Sequence, residues 1–471
     1  MCGSTLRTPY GATSLIRALR PLEDREFRLL TGATLISVLG DGLLRVALPL
    51  QVLAITDNDP LAIGAVGLAW TLGHAVSLPV GGVVSDRQDR RGVMIASDLV
   101  RAAAIGTLGI LGLLGTLELA HVVALGLLFG VANGFFNPAA RSLVPDLIPQ
   151  QSLASANALL GFARPLQLWI IGPVLAGLLI GVAGPATALV ADAATFVVSA
   201  GLLVRVRRRG PAEAPSSEGS FTQLAQGLRF VRRNRWATVW FSASALATLA
   251  FHGPYDVLVP TMLKVDLGLS EAQAGWWMAL IFASGGLGAM LASTLVGQRG
   301  LPRRFMLVLY VAEGASLLGM AAFALITGLW QALVAGFVVF GAIVVSEVVA
   351  DTNLQREVPR HLLGRVTSLE WFVAIGMAPI SFALAGPLGR LFGARPVLAA
   401  FGLVAGVCVL GLSLVPGART PERSARETGR GDSDGGWLPA SRARRDGRRH
   451  LPATLGARVE RRQMRQRATG S

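Results

Sequence analysis

Twelve apolar runs of about the length needed to cross a bilayer recur along this chain, and nothing else in the sequence constrains the fold so strongly. They lie near 28–55, 61–84, 93–115, 119–137, 153–180, 184–204, 236–262, 273–296, 304–327, 330–350, 365–387 and 395–416. A helix of roughly 20 apolar residues spans ~30 Å of hydrocarbon. Inside that layer every backbone N–H and C=O must be satisfied within the segment, which favours helices. Hydrophobic residues make up 52% of the chain and charged residues only 15%, against roughly a quarter charged in soluble domains. The expectation is an all-α integral membrane protein with twelve transmembrane helices.

Charge then sets an orientation. Lys and Arg concentrate in the first 28 residues, in every second loop and in the C-terminal tail, while the opposite loops hold Lys264, Arg390 and Arg395. The positive-inside rule places both termini in the cytoplasm of a multi-pass plasma-membrane protein. The formal charge of +15 therefore reads as topology and attraction to anionic lipid rather than nucleic-acid binding. Cys2 and Cys408 are far apart, so no disulfide framework, metal centre or cofactor is expected. The N-terminal residues show no cleavable signal peptide followed by a soluble domain. Abundant Ala, Gly and Arg suit a GC-rich bacterial genome, hence a bacterial inner membrane.

An internal repeat organises the runs. Gly42 and Pro49 fall on Gly253 and Pro260 at an offset of 211, Arg90-Arg91 on Arg303-Arg304 at 213, and Pro149 and Leu153 on Pro359 and Leu363 at 210. Two pseudo-symmetric six-helix bundles follow, 28–204 and 236–416, preceded by a cytoplasmic segment 1–27. Between them 205–235 reads as a basic linker, and the stretch from Phe221 to Trp240 as an amphipathic helix suited to the inner leaflet. Residues 417–471, rich in Arg, Gly and Ser, are expected to be a disordered basic tail.

The loop between the second and third runs reads Gly82-Val83-Val84-Ser85-Asp86-Arg87-Gln88-Asp89-Arg90-Arg91. Gly82 would admit a neighbouring helix, Asp86 would accept hydrogen bonds from an Arg or a helix N-terminus, and the arginines would stay in water and headgroups. This loop resembles the G-x-x-x-D-R-x-G-R-R segment of the major facilitator superfamily, with Asp89 in place of a Gly. Phe136-Asn137-Pro138-Ala139-Ala140 and Ala154-Ser155-Ala156-Asn157-Ala158-Leu159 resemble the branch that contains macrolide-efflux and enterobactin-export proteins. Gly172-Pro173-Val174-Leu175-Ala176-Gly177 resembles the G-P-x-x-G-G segment of exporters in that superfamily, with Ala176 replacing one Gly. The span 119–137 carries no Arg, whereas drug/proton antiporters of the superfamily often have one there.

Ionisable residues inside apolar spans are costly and mark pathways or relays. Asp41 and Arg45 lie one turn apart on one helix face and are expected to pair, with Asp41 as a proton-coupling carboxylate. His252 and Asp256 occupy the equivalent place in the second half and offer a further titratable pair. Arg164, about 17 Å into its helix by rise, is expected in a substrate cavity, facing an anionic substrate group or Asp192. Gln167, Asn133 and Asn137 are candidates for the same cavity, although polar residues in bundles also serve as interhelical hydrogen bonds.

The resemblance implies a secondary transporter working by alternating access. The expectation is a proton-coupled exporter of small amphipathic molecules, monomeric, with protons, a small-molecule substrate and membrane lipids as partners. In that model Asp86, Arg87, Arg90 and Arg91 hold the cytoplasmic side shut. Import or lipid flipping on the same fold is the alternative, and a channel or scaffold the alternative of another class. No H-E-x-x-H, G-x-S-x-G or phosphate loop is present to suggest an enzyme.

Overall fold

The computed structural model describes residues 20–149, 152–207, 220–427 and 437–438. The first half comprises α1 (Arg25–Ile55), α2 (Pro60–Arg87), α3 (Arg90–Leu113), α4 (Leu119–Leu147), α5 and α6 (Pro185–Val204). Helix α5 is built of Leu153–Pro165, a π-helical turn Leu166–Ile171, and Gly172–Ala183. The second half comprises α7, α8 (Glu271–Arg299), α9 (Phe305–Ala322), α10 (Leu329–Glu357), α11 (Arg360–Phe392) and α12 (Ala394–Leu412). Eleven helices among the described residues are long and apolar enough to cross a membrane. The remaining expected span, 236–262, is α7, where Arg235–Gly253 leads into π turns at Pro254–Leu258 and Met262–Asp266 separated by Val259–Thr261.

Local chemistry explains the helix starts. Asp24 caps α1 by accepting from the Phe27 N–H at 2.9 Å, and Asp59 caps α2 by accepting from the Leu61 N–H at 3.0 Å. Ser270 and Gln273 exchange bonds in a capping box at α8. Gly184 (φ 80°) before α6 and Gly393 (φ 85°) before α12 make the same left-handed turn at repeat-related positions.

Packing repeats as well. In the first half α2 packs on α4, α3 on α4 and α6, and α1 on α5 and α6; in the second α8 packs on α10, α9 on α10 and α12, and α7 on α11 and α12. The halves meet along α2–α11 and α5–α8. At the end of the bundle far from the termini the apolar core is continuous across both halves, joining Leu48, Ile63 and Ile180 to Leu258, Met278 and Phe382. At the terminal end it divides into a first-half core around Phe27, Phe136 and Leu147 and a second-half core around Trp240, Tyr310 and Leu369.

Glycines on the facing helices report the same asymmetry. A Cβ added at Gly64 of α2 would lie 2.9 Å from the Gly386 Cα of α11, and one at Gly177 of α5 would lie 2.9 Å from the Ala279 Cβ of α8. Added at Gly82, Gly161 or Gly297, in the terminal halves of these helices, or at Gly376 in the middle of α11, it would meet nothing within 4 Å. Asp59 and Arg390 form an ion pair across the halves at the far end, 3.6 Å apart. The two halves are therefore packed backbone to backbone at the far end and parted toward the terminal end, where Arg141 of α4 still lies over the Trp371 ring of α11 at 5.2 Å.

Three expectations need correction. Helix α4 does not end at 137 but runs through Pro138 and Pro145 to Leu147, so it carries Arg141. Proline lacks the N–H and breaks soluble helices, but close packing of membrane helices tolerates it. The linker helix, Ser220–Arg233, does not run on toward Trp240: Asn234 separates it from α7. It packs on α11, where Gln226 accepts from Arg365 and a Cβ at Gly227 would meet the Arg365 carbonyl at 2.8 Å.

The tail, too, begins with structure. Ala418 is buried, and Thr420–Glu427 is helical. The Glu422 carboxylate accepts from Arg419 at 2.7 Å and from the Leu307 N–H at the start of α9 at 3.4 Å. Among the described residues strand structure is confined to a two-residue antiparallel pairing of Leu301–Pro302 with Trp437–Leu438. Glu422→Ala is expected to loosen this attachment by ~1 kcal/mol. Faster trypsin cleavage at Arg423, with the helical core left intact, is the readout.

Candidate functional site

The halves enclose a cavity of about 260 Å³ midway along the bundle. Its charged lining comes from both: Asp41 and Arg45 of α1, Arg164 of α5 and Asp256 of α7. Trp70, Tyr255, Phe282 and Phe382 supply aromatic wall, and Asn133, Asn137 and His74 supply polar wall. Asn133 and Asn137, candidates for a substrate cavity, are both among its lining residues.

Asp41 and Arg45 share a helix face but do not pair with each other. Arg45 reaches across to Asp256 at 3.9 Å and lies over the Trp169 ring at 4.5 Å and the Phe282 ring at 5.7 Å. Cation–π attraction and a carboxylate on the other half together outweigh the local i,i+4 pair. Asp41 instead lies 3.9 Å from Arg101. His252 is exposed, its ring edge-on to Phe251 at 5.8 Å, and it has no ion pair with Asp256 within 4.0 Å.

Arg101 of α3 is the residue the sequence reading passed over. Its side chain is 1% exposed. It donates to Asn133 and Ser37, each at 3.1 Å, and to Asp98, and its guanidinium lies between the Phe136 ring (4.1 Å) and the Phe196 ring (4.4 Å). Asp98 is wholly buried and accepts a second bond from Ser199 of α6 at 2.7 Å. One guanidinium thus ties α1, α3 and α4 together, and through Asp98 it reaches α6. The signal was available: an Asp and an Arg three residues apart inside an apolar span satisfy the same criterion that singled out Asp41.

Asp192 is not the partner of Arg164. It is fully buried in α6 against α1, with Thr195 as its hydrogen-bond donor at 3.5 Å, and a Cβ on Gly40 would collide with both side chains. Gln167 does not line the cavity. It belongs to the π turn of α5, whose wider winding turns Leu168 toward the cavity and sets the Gln167 carbonyl against α1 at Gly42.

The Gly82–Arg91 loop works within the first half in this conformation. Arg90 donates to Asp146 and to the Ser142 carbonyl (3.0 Å) of α4, and Arg91 donates to the Leu203 and Val204 carbonyls of α6 at 2.7 and 2.6 Å. Asp89 occupies the N-cap position of α3, and Arg87 is exposed. The Asp86 side chain lies outside the described residues. Gly82 does not admit a neighbouring helix here; that service falls to Gly81, which sits against the Gly134 carbonyl of α4. On α5, Gly172 packs against Gly42 of α1, where a Cβ would come within 2.7 Å of the Gly42 Cα, and Gly177 packs on α8. Pro173 is buried and follows directly on the π turn inside the continuous helix, so its missing N–H falls where the winding already departs from the α pattern.

Comparisons with known proteins converge on one family. The family model described as Major Facilitator Superfamily matches residues 30–370 and 244–457. The enterobactin exporter EntS of Salmonella choleraesuis is 31% identical over 399 residues, covering 83% of this chain and 91% of that protein. The multidrug efflux pump Tap of Mycolicibacterium fortuitum is 28% identical over 393 residues, covering 80% and 92%. Among solved structures, the nucleoside transporter NupG superposes with a TM-score of 0.65 at 13% identity, covering 82% of this chain and 98% of that one. A bacterial homologue of the iron transporter ferroportin in an inward-facing state does so with a TM-score of 0.62 at 19% identity, covering 83% and 99%. The folded helices, the cavity shared between repeat-related halves and these matches together make the chain a member of the major facilitator superfamily, a multi-pass membrane transporter and not an enzyme.

Proposed function

We propose that this transporter is a proton-coupled exporter of small amphipathic molecules, with twelve transmembrane helices, acting as a monomer in a bacterial inner membrane. Both termini lie in the cytoplasm, so the present conformation is inward-facing. The observation that carries the reading is the Arg45–Asp256 pair, a first-half cation held by a second-half carboxylate at 3.9 Å inside the cavity. A pair that bridges the halves must break or re-form when they rock, and Asp41, one turn from Arg45, is the carboxylate able to receive it. Protonation of Asp256 would release Arg45, and protonation of Asp41 would remove the carboxylate that could receive it, which couples proton binding to the position of the halves. Arg87, Arg90 and Arg91 at the terminal end would meet the second half when that end closes. Similarity to an exporter and an efflux pump supports outward transport.

The test is purified protein in liposomes enclosing a pH-sensitive dye, challenged with macrolides, siderophores and cationic dyes. Substrate-dependent proton movement is expected. Asp41→Asn should reduce it to the level of empty liposomes while the protein stays folded. A normal pH response with unchanged efflux in that variant removes Asp41 from the coupling. Movement of a labelled lipid without any proton flux replaces export with lipid flipping.

A further inference from the structure

Four guanidiniums stand in or beside the cavity, and three are engaged. Arg45 has Asp256 and the Trp169 ring; Arg101 has Asp98, Asn133 and Ser37; Arg141 lies over the Trp371 ring of α11 at 5.2 Å. Arg164 lines the cavity without a hydrogen bond, ion pair or ring contact among the described residues. The charges that reach it are Arg141, which repels it, and Asp41, which already lies 3.9 Å from Arg101. Leu168, one turn on, is apolar, and the π turn keeps the Gln167 amide out of the cavity, so no side-chain acceptor of its own helix competes for the guanidinium.

A cation in a low-dielectric cavity attracts an anion far more strongly than it would in water. The carboxylates that could favour a cationic cargo are spoken for: Asp41 and Asp256 each face a guanidinium. Glu347, Asp351 and Glu370 of α10 and α11 are not part of the cavity lining. The same cavity offers the flat surfaces of Trp70, Tyr255, Phe282 and Phe382 along with the polar Asn133, Asn137 and His74. The volume of about 260 Å³ lies at the small end of the roughly 300–1,000 Å³ of ordinary ligand pockets.

Resting on the transport reading above, we infer that the cargo is an amphipathic anion whose carboxylate, sulfonate or phosphate group is held by Arg164 while its apolar body lies on the aromatic wall. A guanidinium is suited to this role because it stays charged and presents paired N–H donors to an oxyanion. The cargo's oxyanion enters as the hydrogen-bonding partner that no described side chain supplies, Asp41 reaching Arg164 only at longer range.

The experiment compares three ligands that share one ring system: 2-naphthoate, 2-naphthylmethylammonium and 2-naphthalenemethanol. Saturable binding to the full-length protein in lipid nanodiscs is measured by equilibrium dialysis, with empty nanodiscs subtracted. 2-Naphthoate should bind at least about tenfold more tightly than the ammonium compound, as expected for one charge-assisted contact in a shielded site. Arg164→Gln should bring the three ligands to within about threefold of one another, and Arg164→Lys should keep the order of preference. Equal or tighter binding of the ammonium compound, an unchanged preference in Arg164→Gln, or no saturable binding of any of the three overturns the assignment. Binding needs neither a proton gradient nor a direction. An anion preference without proton movement in liposomes therefore removes the coupling and leaves this site standing, and proton-coupled export of cations does the reverse.

Discussion

Arg101→Met should destabilise the purified protein by about 3–5 kcal/mol, the usual cost of stripping one partner from a buried charge pair. Asp98 is wholly buried and would keep only the Ser199 hydroxyl, while Asn133 and Ser37 would both lose their donor. Methionine fills much of the space between the Phe136 and Phe196 rings, so the loss reports charge and hydrogen bonding more than a void. Adding Asp98→Asn should recover part of the stability, because the charge left stranded is then removed. Thermal unfolding of the two variants beside the parent decides it. An unchanged midpoint for Arg101→Met, or a double variant whose loss equals the sum of the single losses, means that the guanidinium is not the tie between α1, α3, α4 and α6.

Gly64→Leu should act on conformation rather than on folding. A Cβ at that position would lie 2.9 Å from the Gly386 Cα and 3.0 Å from the Phe382 carbonyl, both backbone atoms of α11 that cannot swing aside. Overpacking of this kind costs about 1–3 kcal/mol, and the cost falls on the closed far end alone because the two halves need not touch there in the opposite state. With cysteines replacing Asp59 and Arg390, cross-linking by a short bis-maleimide should slow by about tenfold, the ratio that ~1.4 kcal/mol gives. Transport should fall with it, since one of the two alternating states is disfavoured. Cross-linking at the parental rate would show that α2 and α11 part without consequence.

Much of the fold is legible because the bilayer leaves few options. Apolar runs, alternate basic loops and repeat-related Gly and Pro positions each bear on the same arrangement, and the structure packs the halves alike. What escaped is what depends on rotation about helix axes. Asp41 and Arg45 share a face, so i,i+4 pairing looks natural, yet each takes a partner from another helix, and only packing decides that. Gln167 missed the cavity because a π turn changes the angular register and carries no reliable mark in the residue order. Arg101 and Asp98 were visible as charges, but their joint burial between aromatic rings of α4 and α6 was not. Gly81 and Gly82 are neighbours in sequence and differ only in which side of α2 they occupy.

Asp59–Arg390 and Arg45–Asp256 both join the halves, yet they sit in different solvents. Arg45 and Asp256 have side chains 28% and 25% exposed within the cavity, whereas the Arg390 side chain is 61% exposed at the far end. Mobile ions screen exposed charges over about 8 Å at physiological strength and reach shielded ones poorly. Salt on the far side alone should therefore weaken the hold on the present conformation, by no more than the ~1 kcal/mol that an exposed pair contributes. Salt on the other side would leave that pair untouched. The transporter would then distinguish the two compartments it separates by their ionic strength.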